Sequence, residues 1–192
     1  MSDTERFRNA LASIDARNGA DPNQEEGRPK ELLYSERMTA WLERLEPNAS
    51  EALRLAVRAQ HLERWRSPRS VYPAGRSGYR AWRIDASRRQ AEAASSILRE
   101  AGFDEATCER VAALVRKERL KQDLEAQTLE DCASLVFLDS HSADFAEGRD
   151  DVELRRILKR TWNKMSERGR EAASTLKLPE RLSRLLAEAL DE

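Results

Sequence analysis

The residues able to do chemistry are concentrated between Arg54 and Arg89. That stretch holds ten arginines, no lysine and only two acids, Glu63 and Asp85. It also holds His61, one of two histidines in the chain, and four aromatic residues, Trp65, Tyr72, Tyr79 and Trp82. A guanidinium fork matches a phosphate or a carboxylate through two parallel hydrogen bonds, so Arg58, Arg64, Arg69, Arg76 and Arg83 form a candidate anion-binding set. The four aromatic rings offer flat faces on which a base or a sugar can stack. A plainer reading stands beside this one: the arginines form a solvated helix face, or they pair with acids elsewhere, those of segment 139–153 above all.

His61 has two readings of its own. An imidazole on an apolar helix face is either a hydrogen-bonded core residue or a metal ligand or general acid/base, and the second role needs partners. Asp131 is the candidate second ligand, with Glu130 in support. Asp131 fits a helix cap equally well, because Thr128-Leu-Glu-Asp131 has the spacing of a capping box with an acid at its end. His141 lies near Asp139 and Asp144 and reads as a solvated surface residue. Two histidines and no thiolate cluster exclude a closed structural zinc site, which leaves an open, carboxylate-rich divalent-metal site as the form a metal centre would take.

The elements that must position these groups are helices. Phe7, Ala10, Leu11 and Ile14 give a first helix over about Thr4 to Arg17, stopped by Asn18-Gly19. The polar segment 19–29 then reads as a flexible loop. Tyr34, Met38, Trp41, Leu42 and Leu45 mark a second helix from about Pro29. A third opens with a capping pattern at Asn48-Ala-Ser-Glu51 and carries Leu53, Val57 and His61 inward, followed by a Pro/Gly/Ser-rich loop over 66–78. The fourth runs from Tyr79 to Ala101 with Gln90 on its inner stripe. The fifth starts at Asp104. The sixth starts near Thr128, and its apolar run Leu135-Val-Phe-Leu138 marks it as the most buried. A polar loop over 139–150 precedes a seventh helix from Asp151 to Arg168. A short helix and a last one from Pro179 close the chain. No alternating apolar pattern of strand length is present, so the class is all-α, one compact domain of about eight helices spanning 1–192.

Composition bounds the function. Net charge is −1, which excludes a global polyelectrolyte binder and makes any anion attraction local. Arginine outnumbers lysine 28 to 6, so arginine identity alone argues little; the desertion of acids from 54–89 is the stronger signal. Cys108 and Cys132 have no CxxC spacing and fall within apolar helical patterns, which predicts buried free thiols in a reducing cytoplasm. No apolar run approaches the ~18 residues needed to cross a bilayer, and no signal sequence opens the chain.

The runs Ile14-Asp-Ala-Arg-Asn18, Arg28-Pro-Lys-Glu-Leu-Leu-Tyr34, Arg58-Ala-Gln-His-Leu-Glu-Arg-Trp65, Gln127-Thr-Leu-Glu-Asp131 and Leu135-Val-Phe-Leu138 resemble the DUF4202 family of domains of unknown function, over nearly the whole chain. That family implies no settled activity. A weaker similarity is to HD-domain metal-dependent phosphohydrolases, all-α enzymes whose ligands are histidines and aspartates. By that similarity His61 matches the first histidine and Asp131 the last aspartate, while the His-Asp doublet is absent and Gln90 stands where an imidazole is wanted. Lys164-Met-Ser-Glu-Arg168 resembles the KMSKS-type loop of class I aminoacyl-tRNA synthetases. No companion motif or strand–helix alternation supports it, so the likeness is one of chance and such an enzyme is not expected.

Three expectations follow. A degenerate HD-like site would bind or act on a phosphorylated small molecule, with His61, Gln90 and Asp131 converging on one point. A non-catalytic module would bind RNA, a nucleotide or an acidic partner through exposed arginines and aromatic rings of 54–89. A helical interaction protein would close those arginines against 139–153.

Overall fold

The computed structural model describes residues 2–191. Its helices are α1 (Asp3–Gly19), α2 (Lys30–Leu45), α3 (Glu51–Arg58), α4 (Gly75–Glu100), α5 (Glu105–Val115), α6 (Leu124–Val136), α7 (Ser142–Ala146), α8 (Asp151–Lys164), α9 (Glu167–Ser174) and α10 (Glu180–Asp191). A two-stranded antiparallel hairpin, β1 (Gln24–Glu25) with β2 (Arg28–Pro29), is the sole sheet among the described residues. The class is all-α, as the apolar spacing indicates. Ten helices stand among the described residues against the expected eight or so, the short α7 having formed in the segment 139–150 that reads as a loop.

Leu53, Leu55 and Val57 of α3, Ile97 and Leu98 of α4, Val111 and Leu114 of α5 and Leu129 and Leu135 of α6 lie in one hydrophobic cluster. That cluster reaches from Ala10 of α1 to Leu185 of α10. α6 packs against α2, α3, α5, α8 and α9, which makes it the central helix its sequence suggests. Cys108 and Cys132 are buried and unpaired, as expected. No described helix is long and apolar enough to cross a membrane.

Several boundaries differ from the apolar pattern for identifiable reasons. α6 begins at Leu124, because the Asp123 carboxylate accepts the Glu125 and Ala126 N–H groups and caps it. Thr128-Leu-Glu-Asp131 is therefore mid-helix and is not a cap of its own helix. The expected helix 151–168 breaks at Met165, and Ser166 starts α9 by accepting the Gly169 N–H. α3 stops at Arg58, so His61 sits one turn beyond the helix instead of on its last turn. Asn18, buried at the end of α1, accepts the Glu63 N–H, and Glu63 takes a left-handed conformation there.

The three segments expected as loops hold structure. In 19–29, Glu26 and Gly27 both have positive φ and turn the hairpin, while Asp21 accepts the Asn23 and Glu31 N–H groups. In 66–78, short 3₁₀ turns lead into α4, which starts at Gly75. Gly78 packs so closely on Pro73 that a Cβ there would lie 1.9 Å from the Pro73 carbonyl oxygen. In 139–150, a wide π turn over Phe137–His141 runs into α7.

Candidate functional site

A cleft of about 840 Å³ opens between the start of α2, the segment after α3, Trp82 of α4 and the π turn before α7. That volume falls in the range of small-molecule sites. The two histidines of the chain both line it, together with Glu25, Lys30, Glu31, Tyr34, Arg64, Trp65 and Asp144.

Tyr34 is the buried floor. The His61 ring lies on it with centroids 4.0 Å apart and planes 12° apart. The His141 ring is also nearly parallel to Tyr34, at 6.0 Å. One turn before Tyr34 on the same face of α2, Glu31 is buried and its carboxylate lies 3.4 Å from His61 Nδ1. Burial raises the Glu31 carboxyl to about 7; Arg64 opposes this and the nearby Asp21 adds to it. His61 is pushed well below the ordinary imidazole range, first by burial and then by the Arg64, Lys117, Arg83 and His141 charges. Its side chain nonetheless keeps 20% of its surface open, so it is enclosed by protein yet accessible from the cleft. His141 is lowered by burial as well, partly offset by Glu25, whose carboxylate is 3.4 Å from His141 Nε2. Burial alone would raise Glu25, but the hydrogen bond from Arg37 and the charges of His141, Arg37 and Lys30 together outweigh that and hold it below the usual carboxylate range.

Arg64 completes the group. Its guanidinium lies over the Trp82 ring, 4.7 Å from the centroid, and its Nη1 contacts the His61 ring nitrogens. Trp82 is itself fixed by donating its indole N–H to the Ser67 carbonyl at 2.7 Å. No carboxylate among the described residues is within ion-pair distance of Arg64, although three line the same cleft. A guanidinium donates only, and the neutral tautomer with its hydrogen on Nδ1 satisfies both neighbours, donating towards Glu31 and accepting from Arg64 at Nε2.

The other expected site residues are elsewhere. His61, Gln90 and Asp131 line three separate cavities and do not converge. Asp131 is 1% exposed and its carboxylate accepts the Ser166 N–H at 2.8 Å, the Ser166 hydroxyl and the Gln127 side-chain N–H at 2.9 Å. It thus anchors the N-terminus of α9, and a Cβ on Gly169 would meet it at 2.7 Å. Glu130 is held by Lys117 at 2.5 Å and Lys164 at 3.4 Å. The expected ligand set of His61, Asp131 and Glu130 is not assembled, and no three His, Cys, Asp or Glu side chains among the described residues are placed to hold a metal ion.

The five candidate arginines also disperse. Arg58 grips Asp15 with two hydrogen bonds, at 2.6 and 2.9 Å. Arg69 donates to the carbonyls of Tyr72 and Pro73 and pins its own loop. Arg64 and Arg69 both line the cleft, while Arg76 and Arg83 lie on a groove between α4 and α8. Asp151, the acid of 139–153 that pairs most, binds Arg181 and Arg184 and none of these. Of the aromatic residues, Trp65 and Trp82 line the cleft, Tyr79 lies on the groove, and Tyr72 donates its hydroxyl to Asp85 at 3.0 Å.

Sequence reasoning missed three members of the cleft. Glu31 was legible as an acid three residues before Tyr34 on an inward stripe. His141, expected on the solvated surface, is instead half-buried, because the π turn swings it onto the cleft. Glu25 comes from a hairpin that no apolar pattern marks.

Comparison with known proteins adds a family and no activity. A family model described as a domain of unknown function (DUF4202) matches residues 8–186. No curated protein and no solved structure matches the chain.

Proposed function

We propose, for a chain that belongs to the DUF4202 family and takes no assigned activity from it, that the Glu31–His61–Arg64 cleft binds a phosphorylated small molecule and offers it an acid/base pair. The observation that carries this reading is Arg64: a guanidinium flat on Trp82, facing a cavity that three carboxylates line, and paired with none of them. Arg64 is half-buried, and a cation partly withdrawn from water without a counter-ion gains from a ligand that supplies one. A phosphate fits, because the fork geometry favours a planar pair of oxygens and Lys30 stands exposed at the same rim. Trp65 supplies an apolar wall for the organic part of the ligand.

The acid/base component follows from the carboxyl held near neutrality. With its carboxyl raised to about 7, Glu31 can both give and take a proton near neutral pH. His61 would pass that proton between Glu31 and the ligand once an incoming anion draws Arg64 away from Nε2. Protonation of Glu31 also removes a negative charge beside the anion, so affinity should strengthen as the pH falls towards neutrality. The two buried thiols suit a reducing compartment such as the cytoplasm.

The test is titration of the wild-type protein with inorganic phosphate, simple phosphomonoesters and nucleoside monophosphates, read by the fluorescence of Trp65 and Trp82. Saturable quenching is expected, weakened roughly tenfold or more in Arg64→Gln, the size of a lost charge-assisted hydrogen bond. In Glu31→Gln, any change of affinity that remains between about pH 6 and pH 8 should follow only the ligand's own second phosphate ionisation, at about 6 for a phosphomonoester. Equal affinity in wild type and Arg64→Gln would refute the reading.

A further inference from the structure

The arginines that the cleft does not use are gathered on another face. A groove of about 530 Å³ between α4 and α8 is lined by Arg76, Tyr79, Arg80, Arg83, Ile84 and Arg160. Every one of the six is exposed, with Tyr79 at 47% and Ile84 at 67%. None of the four arginines makes a hydrogen bond or ion pair among the described residues, in a chain where most other arginines are paired. No carboxylate lines the groove. One acid whose ionisation Arg83 supports, Glu130, is buried and already holds two lysines.

We propose that this groove binds single-stranded nucleic acid, with the arginines on successive phosphates and a base stacked on Tyr79. Arg76, Arg80 and Arg83 stand at i, i+4 and i+7, one face of α4, and span about 10 Å along the helix axis. Arg160 faces them from α8, so cations line both walls of a concave channel. A single strand can lay an unpaired base on the exposed Tyr79 ring, whereas the bases of a duplex are stacked inside it. Tyr79 is braced by Trp82, with ring centroids 5.7 Å apart, and so presents a fixed aromatic face in place of a mobile one. Unpaired cations interleaved with an exposed ring are the elements of sequence-tolerant strand binding. An acidic protein segment would use the charges and leave Tyr79 idle, which separates the two partners experimentally.

Fluorescein-labelled oligouridylate and oligothymidylate of about ten nucleotides are titrated with the full chain, read by anisotropy, at a series of salt concentrations. Saturable binding is expected, with a log–log salt slope of about −3 for four phosphate contacts on a single strand. Tighter binding of one oligonucleotide identifies RNA or DNA as the source. Arg80→Glu/Arg160→Glu should weaken binding at least about tenfold while leaving phosphomonoester affinity in the cleft unchanged, and Tyr79→Ala should cost a further factor of about ten. All three side chains are exposed, and circular dichroism of each variant checks that the fold is kept. The proposal is overturned by absence of binding at low salt or by undiminished binding in the charge-reversed variant. Displacement by polyglutamate at equal charge, with no effect of Tyr79→Ala, would assign the groove to an acidic protein and overturn it equally.

Discussion

Two buried acids of this protein, Asp131 and Glu31, have nearly the same exposure, 1% and 7%, and opposite surroundings. Asp131 accepts from a backbone N–H, a hydroxyl and an amide, and a glycine is packed against it. Glu31 has an imidazole at 3.4 Å and an open cavity. A buried carboxylate surrounded by donors is satisfied and serves the fold. One buried beside an imidazole and an open cavity, with no such set of donors, has its proton affinity raised and is ready to react. The comparison moves the candidate site away from Asp131, which the sequence offers as a ligand beside its capping-like reading, and towards Glu31, which it leaves unremarked.

The largest effect should come from the satisfied acid. Asp131→Ala leaves the Ser166 N–H and hydroxyl and the Gln127 amide without their acceptor at the start of α9, and should lower stability by about 3 kcal/mol in chemical denaturation. Ligand quenching in the cleft should persist while the protein stays folded. Loss of that quenching in folded Asp131→Ala would tie the two acids into one site and break the comparison.

Glu31→Gln should act in the opposite direction and depend on pH. The folded protein holds the Glu31 proton more tightly than an unfolded chain does, so ionisation of Glu31 destabilises progressively as the pH rises from about 4.5 to about 7, and fully above that. Near pH 8 the variant should therefore be more stable than wild type, by as much as ~2–3 kcal/mol, and near pH 5 the two should converge. His61 works against this trend in the wild type: its depressed folded pKa makes stability fall as the pH drops below the ordinary imidazole value of 6.5. Unfolding curves of both proteins at the two pH values measure the crossing, and a variant less stable than wild type near pH 8 would place Glu31 with the structural acids.

Gly169→Ala is the smallest probe. Its added methyl would lie 2.7 Å from the Asp131 carboxyl carbon and should cost about 1–2 kcal/mol, read as a fall in Tm with no change at the cleft.

Helices were legible because their apolar residues recur at three- and four-residue spacing, and the central position of α6 followed from its continuous apolar run. Boundaries were less so, since Asp123 and Ser166 cap helices that the pattern alone runs through or starts late. The arginine stretch shows the limit most clearly. Arg58, Arg69 and Arg83 look alike in sequence. One meets Asp15, from 43 positions away, one meets its own loop carbonyls, and one meets solvent. Side-chain type sets what a residue is able to bind, while the partner comes from tertiary packing. His61 stood out in sequence because histidine is so rare in the chain. Its partners Glu31 and His141 come from a different helix and a π turn, and only the fold places them together.

That rarity also makes the decisive measurement tractable. Imidazole ¹⁵N spectra of the labelled protein contain two side chains, assigned by His61→Asn and His141→Asn. His61 should be neutral at pH 7 with its hydrogen on Nδ1, and adding inorganic phosphate should shift its Nε2 resonance as Arg64 turns to the anion. A His61 that titrates near the ordinary imidazole value and ignores saturating phosphate would contradict the account of the cleft.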